Sequence, residues 1–188
     1  MDADFSVELE PDDETLEFPW ADPESRLRYY DLKRQPELLP KLEEVRSFPE
    51  LAEFLTAINS PSCKLESAKC DAWFTTDLRH EDEVFGAVGK FGGYVDLIFS
   101  GGTDRFSFPA HEKLARQLTE LLKRVPEIPG AAEFLIRRCY YHDGEEIAEG
   151  FYFSVYLFGY GDDVEQSRRC WATALKLVEN AVLQLSLI

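Results

Sequence analysis

Four segments of the chain alternate between apolar and polar residues, which predicts β-strands with one buried face. The segments are residues 63–77, 91–101, 133–142 and 151–161. In the last of them, the apolar set is Phe151, Phe153, Val155 and Leu157. The alternate positions are Tyr152, Ser154, Tyr156 and Phe158. The second face of this strand is therefore too aromatic for a simple wet surface and too hydroxylated for a simple core.

Three other segments repeat apolar residues at intervals of three and four, which predicts amphipathic helices. The helices cover residues 47–59, residues 109–125 and a stretch that begins near Asp162. The order strand, strand, helix occurs twice, and we interpret residues 63–125 and 131–186 as an internal repeat. The predicted fold is α+β. It has an antiparallel sheet of about four strands, two long helices on one face, and an N-terminal arm and helix.

Composition limits the class of protein. The 188 residues are 45% hydrophobic and 30% charged, which is typical of a globular domain. We find no apolar run near the roughly 18 residues of a spanning helix, and no signal peptide. The four cysteines are dispersed and lack C-x-x-C spacing, which favours reduced thiols. We therefore expect a cytoplasmic protein that binds no membrane, metal or cofactor.

The net charge of −16 is concentrated at the start of the chain. Residues 1–25 contain ten of the 36 acidic residues and none of the 20 basic ones. We interpret them as an acidic leader that precedes a single domain of residues 26–188. Such a charge run is typical of a solubilising tail and would repel nucleic acid, with attraction of a basic partner as the alternative. The aromatic residues that follow predict an arm that lies against the domain, namely Phe18, Trp20, Tyr29 and Tyr30.

The sheet face opposite the helices is the candidate functional surface. Alternation in the strand at 133–142 is ambiguous, because Phe134 and Ile136 favour one assignment and the repeat favours the other, with Cys139 inward. Under the repeat-based assignment, the outer face contains Trp73, Tyr94, Tyr140, Tyr152, Tyr156, Asp71, Asp96, Arg138 and His142. Aromatic residues with polar ends among charges of both signs are typical of a recognition surface.

Three kinds of cover for this face remain open at the level of sequence. Residues 1–45 of the chain could lie over it, in which case the tyrosines form hydrogen bonds within the molecule. Another protein or a second copy could bind it, since large aromatic patches are rarely left bare. A small molecule could also bind there, in an aromatic hollow with a few convergent polar groups.

Catalytic and metal-binding patterns are weak. Cys139 and His142 form the closest Cys/His pair, but residues three apart on a strand point to opposite faces and cannot readily share a metal. Asp71 and Asp96 are predicted to face each other across the first hairpin, where like charges could support acid–base chemistry. The neighbouring Lys69 and Arg138 favour a surface ion network instead.

No established nucleotide-binding or catalytic motif is present in the sequence. The sequence therefore favours a non-enzymatic module that binds another protein, or itself, through the aromatic sheet face. The alternative is a small-molecule-binding protein or an unrecognised enzyme that uses the same face.

Overall fold

The computed structural model describes residues 1–25, 27–78 and 86–186, which form an α+β fold. The strands are β1 (Asp2–Glu8), β2 (Thr15–Phe18), β3 (Leu65–Thr75), β4 (Gly89–Phe99), β5 (Gly130–Asp143) and β6 (Glu146–Gly161). The helices are α1 (Glu43–Ser47), α2 (Pro49–Ile58), α3 (Phe108–Lys123) and α4 (Val164–Ser186). Two short 3-10 helices span Pro36–Lys41 and Thr103–Phe106.

All six strands belong to one mixed sheet of order β1-β5-β6-β4-β3, in which β2 pairs with β5 beyond the end of β1. The four strands of the sequence prediction are present and mutually antiparallel. A sheet of about four wholly antiparallel strands is nevertheless wrong, because β1 and β2 both run parallel to β5. The order strand, strand, helix occurs twice, as β3-β4-α3 and β5-β6-α4. The internal repeat itself stays a prediction.

The acidic start of the chain is part of the sheet. β1 alternates acidic residues with Ala3, Phe5 and Val7, and Ala3 is 1% exposed in the core. Its partner in the register is Ala132 of β5. These residues are therefore a paired strand and not a free solubilising tail, with Ala3 in the core and Phe5 packed against it.

Helices α2, α3 and α4 pack on one face of the sheet and enclose the main core. Residue 159 must be glycine for α4 to approach β6, because a Cβ there would lie 2.1 Å from the main-chain nitrogen of Trp171. The N-terminal helix α2 lies on the same side, where Phe54 and Ile58 are buried. Helix α2 therefore does not cover the opposite face of the sheet.

The alternation in β5 follows Phe134 and Ile136. Both are fully buried on the helix side, opposite Val155 and Phe153 of β6. The repeat-based assignment of β5 is therefore wrong, and Cys139 lies in a cluster on the outer face. The residues that move to the helix side are Arg138, Tyr140 and His142. Burial of two large apolar side chains outweighs burial of one thiol.

A β-bulge in β3 changes the predicted alternation there. The register shifts between Ser67 and Lys69, so Ala68 joins the outer-face cluster and not the helix side. Beyond the bulge, Trp73 lies on the outer face as predicted, beside Gly92. The bulge also leaves the Ala68 carbonyl available to a partner outside the sheet.

Within residues 1–25, 27–78 and 86–186, no helix combines the length and the apolar character needed to cross a membrane.

Candidate functional site

The outer face of the sheet has two halves with different covers. The covered half is a second hydrophobic cluster formed by Leu16, Phe18, Ala68, Ile98, Cys139, Tyr141 and Tyr152, with Trp20 and Tyr29 packed against it. The open half is a groove at the other end of the same strands. Of the three covers that the sequence leaves open, the chain's own arm therefore accounts for one half of the face, and the other half stays accessible.

The aromatic arm closes the covered half, as its composition predicts. Phe18 makes edge contacts with Tyr29 and Tyr141, with ring centroids 4.6 and 5.8 Å apart. The indole nitrogen of Trp20 donates a hydrogen bond of 2.7 Å to the Ala68 carbonyl freed by the bulge. Buried aromatic rings with satisfied polar ends form a stable intramolecular contact.

Arg105 holds the end of the covered half. Its Nε donates to the Phe99 carbonyl at 2.7 Å, and its Nη2 donates to the Glu66 carboxylate at 2.9 Å. The guanidinium also lies 5.2 Å from the ring centroid of Tyr141. Burial raises the pKa of Glu66, and the positive charge of Arg105 opposes that shift.

A buried polar chain marks the boundary between the two halves. Ser154 donates to Asp96 at 2.6 Å, and Arg137 Nη1 donates to Ser154 at 3.1 Å. Arg137 also binds Glu8 at 2.7 Å and Glu14 at 3.0 Å. Burial raises the pKa of Asp96 to about 7, although the Ser154 hydrogen bond opposes the shift. Arg137 thereby ties the acidic N-terminal segment to the centre of the sheet.

The open half is a concave groove with a volume of about 1130 Å³. It crosses the sheet from β1 to β3. The side chains of the outer face that line it are Asp2, Asp4, Ser6, Glu8, Trp73, Thr75, Lys90, Ala131, Glu133, Leu135, Arg137, Tyr156, Phe158 and Tyr160.

A row of aromatic side chains runs into the open half, where Trp73, Tyr156 and Phe158 line the groove. The ring centroids of Trp73 and Tyr94 are 6.5 Å apart, and those of Tyr94 and Tyr156 are 5.7 Å apart. Tyr156 stacks on Phe158 at 6.4 Å. The indole of Trp73 lies against Gly92, where a Cβ would come within 3.0 Å of the ring. All four aromatic residues are half-buried, so part of each ring is accessible.

Two of these rings already contact cations of the chain itself. The ammonium group of Lys90 lies 4.8 Å from the ring centroid of Phe158, and the guanidinium of Arg137 lies 5.9 Å from that of Tyr156. Both basic residues are buried. The groove therefore has positive charge beneath its aromatic row.

The predicted site residues separate into groups. Trp73 and Tyr156 line the open half, and the ring of Tyr94 lies beside both of them. Asp96 belongs to the boundary chain, and Tyr152 belongs to the covered half at 1% exposure. Burial raises the pKa of the Tyr152 phenol, so the group stays a neutral hydroxyl. The structure brings three of the five aromatic residues of the prediction into one accessible row.

Arg138, Tyr140 and His142 do not join this surface. They lie on the helix side of the β5–β6 hairpin, where Arg138 pairs with Glu149 at 3.1 Å. His142 pairs with Glu17 of β2, and Tyr140 lies opposite Glu149 in the register. These residues form a ladder of surface contacts away from the groove.

Asp71 and Asp96 do not face each other. The register places Lys69 opposite Asp96 and Tyr94 opposite Asp71. Asp71 is exposed, whereas Asp96 is 3% exposed. The predicted carboxylate pair for acid–base chemistry is therefore absent, because the strand register offsets the two aspartates by two positions.

Aspartates protect both edges of the sheet. Asp4 Oδ1 accepts a hydrogen bond of 2.8 Å from the main-chain amide of Phe5 in β1. Asp71 Oδ1 accepts one of 2.7 Å from the amide of Ala72 in β3. A charged side chain that accepts the hydrogen bond of an amide in an edge strand discourages pairing with a strand of another chain.

The sequence-based site omits Arg137, Lys90 and the acidic residues of β1. Arg137 follows from the alternation of Phe134 and Ile136, a signal that was present in the sequence. The strict alternation of residues 2–8 is likewise a strand signal, masked by the high charge. The acidic residues of β1 meet Arg137 at the groove because β1 pairs parallel to β5.

A smaller cavity of about 340 Å³ lies between the arm and β3. Its lining includes Trp20, Tyr30, Cys70 and Tyr94. Burial raises the pKa of the Cys70 thiol, which keeps it protonated and unreactive. The thiol in this cavity is therefore a poor nucleophile.

Among the described residues, His, Cys, Asp and Glu form no cluster of three or more that could hold a metal ion. Comparisons of the chain with protein-family models, with curated proteins and with solved structures found no significant match. The chemistry of the groove is therefore the basis for a functional proposal.

Proposed function

We propose that this chain is a non-enzymatic binding module that receives a segment of another protein in the groove of its open half. The observation that carries the proposal is the contrast on one sheet face. The chain's own arm covers the apolar half, whereas the aromatic row of the other half remains accessible. Half-exposed tyrosine and tryptophan rings are typical anchors of protein interfaces.

The sheet edges support binding at the face. Asp4 and Asp71 occupy edge amides of β1 and β3, so strand addition at either edge is disfavoured. The groove crosses five strands, which places a bound segment over the sheet and not beside it. A cytoplasmic location is part of the proposal, since all four cysteines are unpaired.

Site-specific photocrosslinking tests this function. Benzoylphenylalanine replaces Ser6 in the groove, and a matched variant carries it at Asn180, which is exposed on α4. After irradiation in extracts of the source cells, we expect a discrete adduct with another protein from position 6. The adduct should disappear in a Trp73→Ala/Tyr156→Ala background. Equal labelling from both positions, or an adduct of two copies of this chain, would contradict the proposal.

The concavity of the groove favours one second candidate, a small-molecule-binding protein. The cavity volume of about 1130 Å³ is slightly above the roughly 300–1,000 Å³ of ordinary ligand sites, so the groove has room for a small molecule. Native mass spectrometry of the purified chain distinguishes this candidate. A bound mass below about 1 kDa that is lost in Trp73→Ala would favour a small ligand over a protein segment.

A further inference from the structure

The charges around the groove are separated by depth. In the described part of the groove, the exposed carboxylates belong to Asp2, Asp4, Asp77 and Glu133. Lys123 is the exposed basic residue among the lining residues described, whereas Lys90 and Arg137 are buried. An incoming molecule therefore meets negative charge first, on a chain whose net charge is −16.

An anionic occupant is disfavoured by the contacts of Arg137. Its guanidinium already binds the carboxylates of Glu8 and Glu14 and the hydroxyl of Ser154. Its side chain is only 10% exposed. An anion would have to displace these partners and pass the exposed carboxylates, which like-charge repulsion opposes.

The aromatic row suits a cation. Lys90 on Phe158 and Arg137 on Tyr156 show that rings of this row accept both kinds of basic side chain. Trp73 is at the β3 end of the same row, and tryptophan is the strongest aromatic acceptor of cations. Carboxylates at one wall and an indole at the other are complementary to positive charge.

The size of the groove defines the length of the occupant. From β1 to β3 it spans four strand spacings of about 4.8 Å, or about 19 Å. An extended chain covers that distance with about six residues. A second copy of this chain is a poor occupant, because it would bring another net charge of −16 to the same acidic wall.

We propose that the occupant is an extended segment of a partner protein that is rich in lysine or arginine. This inference rests on the proposed function and specifies its partner. Basic side chains of the segment lie against Trp73 and Tyr156, and the carboxylates of Asp2 and Asp4 neutralise their charge.

Fluorescence anisotropy with defined peptides tests the inference. The probe is a labelled peptide of about eight residues that alternates lysine and serine, and the control peptide alternates glutamate and serine. We expect the lysine peptide to bind the full chain, with an affinity that falls as ionic strength rises from about 0.05 to about 0.3 M. Saturable binding of the glutamate peptide with equal affinity would overturn the inference.

Two pairs of variants separate specific binding from general attraction. Asp2→Asn/Asp4→Asn should weaken binding about tenfold, and Asn retains an acceptor for the Phe5 amide. Glu53→Gln/Glu120→Gln removes the same charge from exposed helix positions outside the groove and should have a much smaller effect. An equal loss in both would show that only the net charge matters, which contradicts the inference.

The second pair concerns Trp73. Trp73→Ala should weaken binding about tenfold, whereas Trp73→Phe should restore most of it because a ring is retained. Circular dichroism and chemical denaturation verify that both variants are folded. If the lysine peptide fails to bind while position 6 still crosslinks to a partner, the inference is wrong and the proposed function stands. If the crosslink also fails, both are wrong.

Discussion

The two halves of the outer sheet face are built from the same strands but are completed in different ways. In the covered half, Leu16, Phe18 and Tyr152 are buried beneath the arm. In the open half, the aromatic residues of the row are half-buried, and exposed carboxylates surround them. The boundary chain from Asp96 to Arg137 lies between them. The comparison teaches that aromatic content does not define a binding surface. What matters is which rings the chain's own segments leave accessible.

The largest expected difference concerns equivalent phenylalanines. Phe18→Ala in the covered half removes a buried ring with contacts to Tyr29 and Tyr141 and should lower the free energy of unfolding by about 4 kcal/mol. Phe158→Ala in the open half should cost about 1 kcal/mol, because its ring is half-buried. Urea denaturation measures both. Equal costs would mean that the open half is also structural.

Adjacent arginines provide the next test. Arg137→Met removes the buried guanidinium that binds Ser154, Glu8 and Glu14 and leaves these groups unpaired, so it should cost about 3 kcal/mol. Arg138→Met removes a more exposed pair with Glu149 and one hydrogen bond to the Leu9 carbonyl, and should cost about 1 kcal/mol. The measurement is denaturation, with hydrogen exchange of residues 2–18. Similar exchange in both variants would contradict an anchoring role for Arg137.

The stability contributed by the boundary chain should also depend on pH. The raised pKa of Asp96, about 7, means that the folded protein retains a proton that the unfolded chain releases near pH 4. The resulting stability is complete below the unfolded pKa and is lost as pH rises through the folded one. Between about pH 5 and about pH 8, the wild type should lose about 2 kcal/mol more than Asp96→Asn.

Urea denaturation at several pH values checks this prediction. Asp71→Asn is the control, because it makes the same chemical change at an exposed position of the neighbouring strand. Parallel pH profiles of the wild type and Asp96→Asn would exclude Asp96 as the titrating group at the boundary.

The smallest expected difference compares two half-buried tryptophans. Trp20→Ala removes the hydrogen bond to Ala68 and part of the cover, and should destabilise the fold about 1 kcal/mol more than Trp73→Ala does. Trp73→Ala should act mainly on binding. Denaturation and limited proteolysis of the arm measure the contrast, and faster cleavage in Trp73→Ala would reverse the assignment of roles.

Much of the fold was predictable because it depends on local periodicity. The alternation of Phe151, Phe153 and Val155 predicts both the strand and its buried face, and the stripes of α3 and α4 predict helices on the same side. The number of strands was not predictable in this way. β1 is stabilised by pairing with β5, and high charge concealed its alternation.

The site was predictable only in part. Trp73, Tyr94 and Tyr156 follow from alternation along single strands, and all three lie in one row. The sequence-based prediction placed Arg138, Tyr140 and His142 on the wrong side. It gave the weak internal repeat more weight than the apolar character of Phe134 and Ile136, which predicts their burial. A shift of one residue reverses every side chain of a strand, so this choice changed the whole set.

Local sequence patterns predict four of the six strands, the three longer helices, the acidic character and an aromatic second face of β6, since these depend on the order and chemistry of neighbouring residues. Long-range packing establishes which half of that face the arm covers and which acids border the groove. Both outcomes require contacts between residues far apart in the chain, such as Trp20 with Ala68 and Glu8 with Arg137. No local pattern contains that information, because it depends on strand pairing, the β3 bulge and the path of the arm.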